Sequence, residues 1–222
     1  MVYVDPSNAD AAQGWDGPAG DFWTDNADLF DAGVARYLQP FLAAAAIGPA
    51  AQVLDVGCRI GQTTREAARL ADAGGATGVD LSAQMLDLAR RRAEQEDLTN
   101  VRFEQADAQV ADLCVDRYDR VISRTGVMFF GDPVAAFANL ARALKPDGRM
   151  VLLVWQSFAE NEWLGAFLSA VDKRQLPRSH DLGHMRLIRK SSRGRASGTT
   201  GLAWLRRGAG AGEAVVRRRA RG

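Results

Sequence analysis

The chain has 222 residues, 47% of them apolar, which is enough to bury a core the size of one domain. No stretch approaches the ~20 apolar residues of a spanning helix, which argues against a membrane protein. The net charge of +1 conceals an asymmetry: residues 1–171 hold 14 Lys/Arg against 24 Asp/Glu, a balance of −10, and residues 172–222 hold 14 against 3, a balance of +11. Two chemically different segments meet near Val171. Asp5, Asp10 and Asp16 precede the first basic residue, Arg36, so neither a secretory nor a transit peptide is expected. Cys58 and Cys114 lie 56 positions apart and form no metal-ligand pattern; a reduced, cytoplasmic setting is the simplest reading.

The first 20 residues, rich in Asp, Gly, Ala and Pro with Trp15 as an anchor, read as an irregular arm. From Phe22 the spacing turns helical, with Leu29, Phe30, Val34, Tyr37 and Leu38 on one face. Pro40 is expected to split this into two helices, the second ending at Gly48-Pro49. The chain then alternates. Gln52–Val56, Ala76–Val79, Val101–Gln105, Tyr118–Ser123 and Met150–Trp155 read as strands. Gly61–Ala73, Ser82–Glu96 and Asp132–Leu144 read as helices, with Ser82 as an N-cap. Pro146-Asp147-Gly148 reads as a turn. Arg90, Arg91 and Arg92 read as a solvated helix surface. Alternation at this spacing means parallel βαβ units in a doubly wound α/β sheet, whose ligands sit beyond the strand C-termini.

Three acidic residues stand at successive strand ends. Asp55 precedes the glycine loop Gly57-Cys58-Arg59-Ile60-Gly61, where backbone N–H groups and a helix N-terminus can approach a polar ligand closely. Asp80 follows 23 residues beyond Gly57, the spacing at which a carboxylate accepts ribose hydroxyls. Asp107, in Gln105-Ala106-Asp107-Ala108, points at the same crevice. The loop lacks the Gly-x-Gly-x-x-Gly spacing of a dinucleotide site, which disfavours a nicotinamide oxidoreductase.

VLDVGCRIGQTT resembles the first motif of class I S-adenosylmethionine-dependent methyltransferases, GVDLSAQML the second-strand motif and EQADAQ the third. ISRTGVMFFGDPVAAFANLARALKPDGRMVLLVW resembles the fourth-to-fifth strand region. The group is the broad one that includes ubiquinone/menaquinone-type C-methyltransferases. The resemblance covers roughly residues 13 to 171. It is specific for the cofactor and unspecific for the acceptor.

The resemblance implies a Rossmann-like methyltransferase fold; the chain divides into an N-terminal arm and helices over 1–49, the cofactor domain over 50–171 and a basic tail over 172–222, whose low apolar content and high net charge predict disorder. It implies that Asp55, Gly57, Cys58 and Gly61 shape the pocket around the methionine part of S-adenosylmethionine. Asp80 then binds the ribose, Leu81 and Met85 pack near the adenine, and Asp107 and Ala108 reach the adenine's polar edge. Ser123 starts the loop flanking the methionine, and Trp23 closes over the cofactor or fills a local core. The implied reaction is methyl transfer to a small molecule, leaving S-adenosylhomocysteine. No general base is named. Arg124 and Asp132 lie near the crevice, where an ion pair and a helix cap account for them as well as a substrate contact does.

Two departures bear on activity. Arg59 stands where the family motif has glycine, so its Cβ and cation are expected to obstruct the site and weaken binding; the other reading is a charge-assisted bond from its guanidinium to the cofactor's carboxylate. Members of this fold finish with two further strands, and 172–222 offers only Met185–Ile188 as a short candidate. We read the tail as the product of a shifted reading frame near Val171. The other reading is a non-catalytic cofactor-binding remnant or scaffold whose basic tail contacts nucleic acid. His180 and His184 lack a third ligand, so no metal is expected.

Overall fold

Val53, Leu54 and Val56 of β1 (Gln52–Val56) are all buried, as a strand covered on both faces requires. The computed structural model describes residues 2–155, 202–206 and 212–218. From β1 the chain runs through α4 (Gln62–Leu70), β2 (Gly75–Asp80), α5 (Ala83–Gln95), β3 (Val101–Gln105), β4 (Tyr118–Arg124), α6 (Pro133–Ala143) and β5 (Leu144–Val154). Before it come α1 (Ala9–Trp15), α2 (Pro18–Asp25) and α3 (Ala27–Ala45). The sheet order is β3-β2-β1-β4-β5-β7-β6, with β1 to β5 parallel. Side chains alternate faces along each strand. Val53, Ile122 and Val151 pack with Phe41, Ala67 and Ala68 from α3 and α4, while Leu54, Val121 and Leu152 pack on the other face with Leu140 and Ala143 of α6.

Four expectations are corrected. The arm is helical: Pro6–Asn8 forms a 3-10 turn and leads into α1 and α2, where Pro18 opens α2 with the φ that a first helical turn needs. Pro40 lies inside α3 without breaking it; it is exposed, as is Arg36, whose carbonyl is the one left without an N–H donor. Pro146-Asp147-Gly148 is not a turn between helix and strand but an irregularity within β5. The pairing jumps from Tyr118↔Leu144 to Arg120↔Arg149, and Asp147 takes φ +64°.

The last correction concerns the C-terminus. Strands expected to be missing are present: β6 (Leu202–Arg206) and β7 (Gly212–Arg218), with β7 antiparallel to β5 and β6 antiparallel to β7. The remainder of 172–222, including Met185–Ile188, His180 and His184, lies outside the described residues, and with it most of the basic surface proposed for nucleic acid. No helix among the described residues is long and apolar enough to cross a membrane.

Candidate functional site

At the C-terminal ends of the parallel strands lies a cavity of about 470 Å³. It opens where β1 feeds β2 on one side and borders β4 on the other, the point at which strand order reverses. Its floor is the loop from β1 to α4, in which Gly57, Arg59 and Gly61 all adopt left-handed backbone, with φ of +67°, +55° and +75°. Glycine is obligatory at Gly57. A Cβ there would stand 2.7 Å from the Gly126 Cα, so the two loops meet backbone to backbone. The N–H groups of Gly57 and Cys58 both donate to the Val79 carbonyl, at 2.9 and 3.1 Å, which ties the loop to the end of β2.

Six of the ten residues singled out from the sequence line the cavity: Gly57, Asp80, Leu81, Met85, Asp107 and Ala108. Asp80 is held by its own surroundings, since the Arg59 N–H donates to its Oδ2 at 2.8 Å and the Ser82 N–H to its Oδ1 at 3.0 Å. Burial raises its carboxyl above the ordinary range despite those donors. The other four, Asp55, Cys58, Gly61 and Ser123, stand behind the wall. Asp55 is buried and accepts the Thr64 hydroxyl at 2.7 Å. The Ser123 hydroxyl donates to the Val56 carbonyl at 2.6 Å. Cys58 is buried, and its thiol is pushed far up by burial. A Cβ on Gly61 would meet the Phe103 ring at 2.6 Å. These four shape the loop and do not face the cavity.

Asp107 faces the cavity with both oxygens engaged. Asn8 Nδ2 donates to them at 2.9 and 3.0 Å, the Asp5 N–H at 3.0 Å and the Gln109 N–H at 2.9 Å. Asn8 Oδ1 also accepts the Gly131 N–H, so one buried amide joins the arm to the end of β3 and to the loop before α6. Asn8→Ala removes both links and leaves buried polar partners unsatisfied, at a cost of about 1–3 kcal/mol. Amide hydrogen exchange should quicken over residues 5–16 and stay slow in β1 and β4.

Periodicity alone hid one wall. Leu29, Phe30, Val34 and Tyr37 of α3 face the cavity and not only the core, and Met128, Phe129 and Trp155 continue this apolar surface. Trp23 stacks on Phe30 at 3.6 Å and meets the edge of Trp15, which in turn touches Phe129. Trp23 thus lines the cavity and also packs in a local cluster with Ile60 and Met85. Asp132 caps α6 by accepting the Val134 and Ala135 N–H groups. Arg124 is buried, not a surface ion pair. It stands 3.7 Å from Asp31 in a small adjoining cleft, and burial brings its guanidinium pKa down to about 10.

Residues 53–148 match the family described as Methyltransferase domain. An uncharacterised protein of Mycobacterium tuberculosis is 39% identical over 121 residues, covering 53% of this chain and 42% of that protein. The ubiquinone/menaquinone biosynthesis C-methyltransferase of Bdellovibrio bacteriovorus is 32% identical over 102 residues, covering 46% of this chain and 43% of that protein. Among solved structures, phosphoethanolamine N-methyltransferase 2 of Haemonchus contortus, in complex with S-adenosyl-L-methionine, is 26% identical with a TM-score of 0.51, over 60% of this chain and 32% of that one. The chain spans less than half the length of these curated relatives.

Proposed function

We propose that this chain, whose residues 53–148 match the family described as Methyltransferase domain, transfers a methyl group from S-adenosylmethionine to a small molecule and releases S-adenosylhomocysteine. The observation that carries the reading is Asp80. It lies in the cavity at the end of β2, and each of its oxygens takes one N–H from the protein and retains capacity for a ribose hydroxyl. The cavity fits such a ligand, since about 470 Å³ lies within the range of roughly 300–1,000 Å³ typical of small-molecule sites. Gly57 and Gly126 line the cavity at the point where the two loops meet backbone to backbone, a contact that leaves no room for a Cβ.

The cofactor supplies an activated methyl group on a sulfonium. What the chain contributes is placement. Gly57 and Asp80 fix one partner at the strand ends, and the apolar wall of α3 with Met128 and Phe129 offers the other a dry surface. Holding donor and acceptor together away from water accounts for much of the acceleration in such transfers. Asp80 and Asp107 are already engaged by N–H donors, so neither is assigned as a general base.

Asp80→Ala should weaken S-adenosylhomocysteine binding by about one to two decades, the equivalent of roughly 1.5–3 kcal/mol for hydrogen bonds to a charged acceptor. Calorimetric titration measures this, with circular dichroism as the control for folding. Unchanged affinity in a folded variant removes Asp80 from the site, and tighter binding of NAD by the wild type overturns the cofactor reading.

A further inference from the structure

The Arg59 guanidinium lines the cavity and lies 4.4 Å from the Trp23 ring centroid, and among the described residues it has no ion-pair partner within 4.0 Å. Asp31, Asp80 and Asp55 all attract the guanidinium, yet none forms an ion pair with it within 4.0 Å. Asp31 stands among Arg59, Arg92 and Arg124, yet Asp31 Oδ1 and Arg124 Nη1 are both buried without a hydrogen-bond partner. Asp55 is taken by Thr64 and Asp80 by two backbone N–H groups. Burial lowers the Arg59 pKa, against the pull of Asp31, and Arg59 and Arg124 repel one another. A planar guanidinium presents paired donors matched to a carboxylate, and a half-buried one without a partner is poised to take one. The backbone conformation sharpens the point. Arg59 holds φ +55°, a left-handed region that side-chain-bearing residues rarely adopt, with its head group laid against the Trp23 ring.

We propose that Arg59, seated on Trp23, anchors the carboxylate of a ligand in this cavity. That assignment replaces the expectation that Arg59 obstructs the site. The guanidinium lies against Trp23, itself stacked on Phe30 of α3, and the Arg59 N–H, not its side chain, is what meets Asp80. The carboxylate belongs either to the amino-acid end of the cofactor or to the methyl acceptor. Both sources rest on the proposed function; the anion site itself does not.

Four probes separate the sources: S-adenosylhomocysteine, 5′-methylthioadenosine, which shares its nucleoside and thioether but lacks the carboxylate, and the pair benzoate and benzamide. Each is titrated against the full chain and against Arg59→Gln, with circular dichroism confirming the fold and Arg59→Lys as the charge-retaining variant. If the cofactor supplies the carboxylate, Arg59→Gln binds S-adenosylhomocysteine at least tenfold more weakly, binds 5′-methylthioadenosine unchanged, and Arg59→Lys recovers part of the loss. If the acceptor supplies it, both nucleosides keep their affinity. The wild type saturated with S-adenosylhomocysteine then prefers benzoate to benzamide, and Arg59→Gln loses the preference. A wild type that binds neither nucleoside yet shows that Arg59-dependent preference overturns the methyltransferase reading and sustains the anion site. Equal affinities of wild type and Arg59→Gln for all four probes, tighter S-adenosylhomocysteine binding by Arg59→Gln, or no binding of any probe overturns the proposal.

Discussion

Gly57→Ala is expected to lower stability by about 2–5 kcal/mol, the sum of left-handed strain and of forcing a methyl group into a packed contact. The second part is the larger. The new Cβ would stand 2.7 Å from the Gly126 Cα, and backbone cannot rotate aside as a side-chain end can. To relieve the contact, either the loop after β1 moves and displaces the N–H groups bonded to the Val79 carbonyl, or the loop after β4 moves and strains the Thr125 N–H bond to the Leu153 carbonyl. Urea unfolding should register the loss, and S-adenosylhomocysteine affinity should fall with it because the same two loops floor the cavity. A variant as stable as the wild type would show that the loops separate at little cost.

Asp55→Asn is expected to abolish a pH dependence. Burial pushes the Asp55 carboxyl up to about 6 from 3.8, the Thr64 hydroxyl and Arg124 opposing and Asp80 reinforcing. The folded chain therefore holds this proton over a window in which the unfolded chain has lost it. Stability from this group is intact below about pH 4, declines as pH rises, and is fully lost above about pH 6, a change of roughly 2–3 kcal/mol between pH 4 and 7. Asparagine cannot ionise and keeps an oxygen for the Thr64 hydroxyl. The difference in unfolding free energy between the two proteins, measured in urea at pH 4 and at pH 7, should shift in favour of the variant by that amount. A constant difference would mean that Asp55 titrates alike in both states.

The strand ends were legible because two signals coincide there. Buried parallel strands read as short apolar runs, and Asp55, Asp80 and Asp107 each interrupt or follow one, where an ionisable group stands out against its apolar neighbours. The pocket's second wall was not legible. A helical stripe such as Leu29, Phe30, Val34 and Tyr37 has the same spacing whether it faces a core or a cavity, and only the sheet's placement decides. Nor does sequence separate cavity wall from the layer behind it: Asp55 and Asp80 close adjacent strands, yet one turns to Thr64 and the other to the opening. The late strands were lost by averaging. Leu202–Arg206 reads Leu-Ala-Trp-Leu-Arg, but its apolar signal disappears within 51 residues carrying 14 Lys and Arg. Arg59 was read from the departure of its motif, which shows that a glycine is missing but not where the new side chain goes.

The sheet order also bears on how the chain is made. β5 is paired on one side with β4, which precedes it, and on the other with β7, which begins about 60 residues after β5 ends. At the ~5–20 residues per second of synthesis, the apolar Met150-Val151-Leu152-Leu153-Val154 edge waits roughly 3–12 seconds for its second partner. For that interval the nascent chain carries an open, hydrogen-bond-ready strand, the feature through which unfinished sheets pair with one another. Ribosome-bound chains released before Gly212 should be the aggregating species, and the strand that protects them is the one least conspicuous in the sequence.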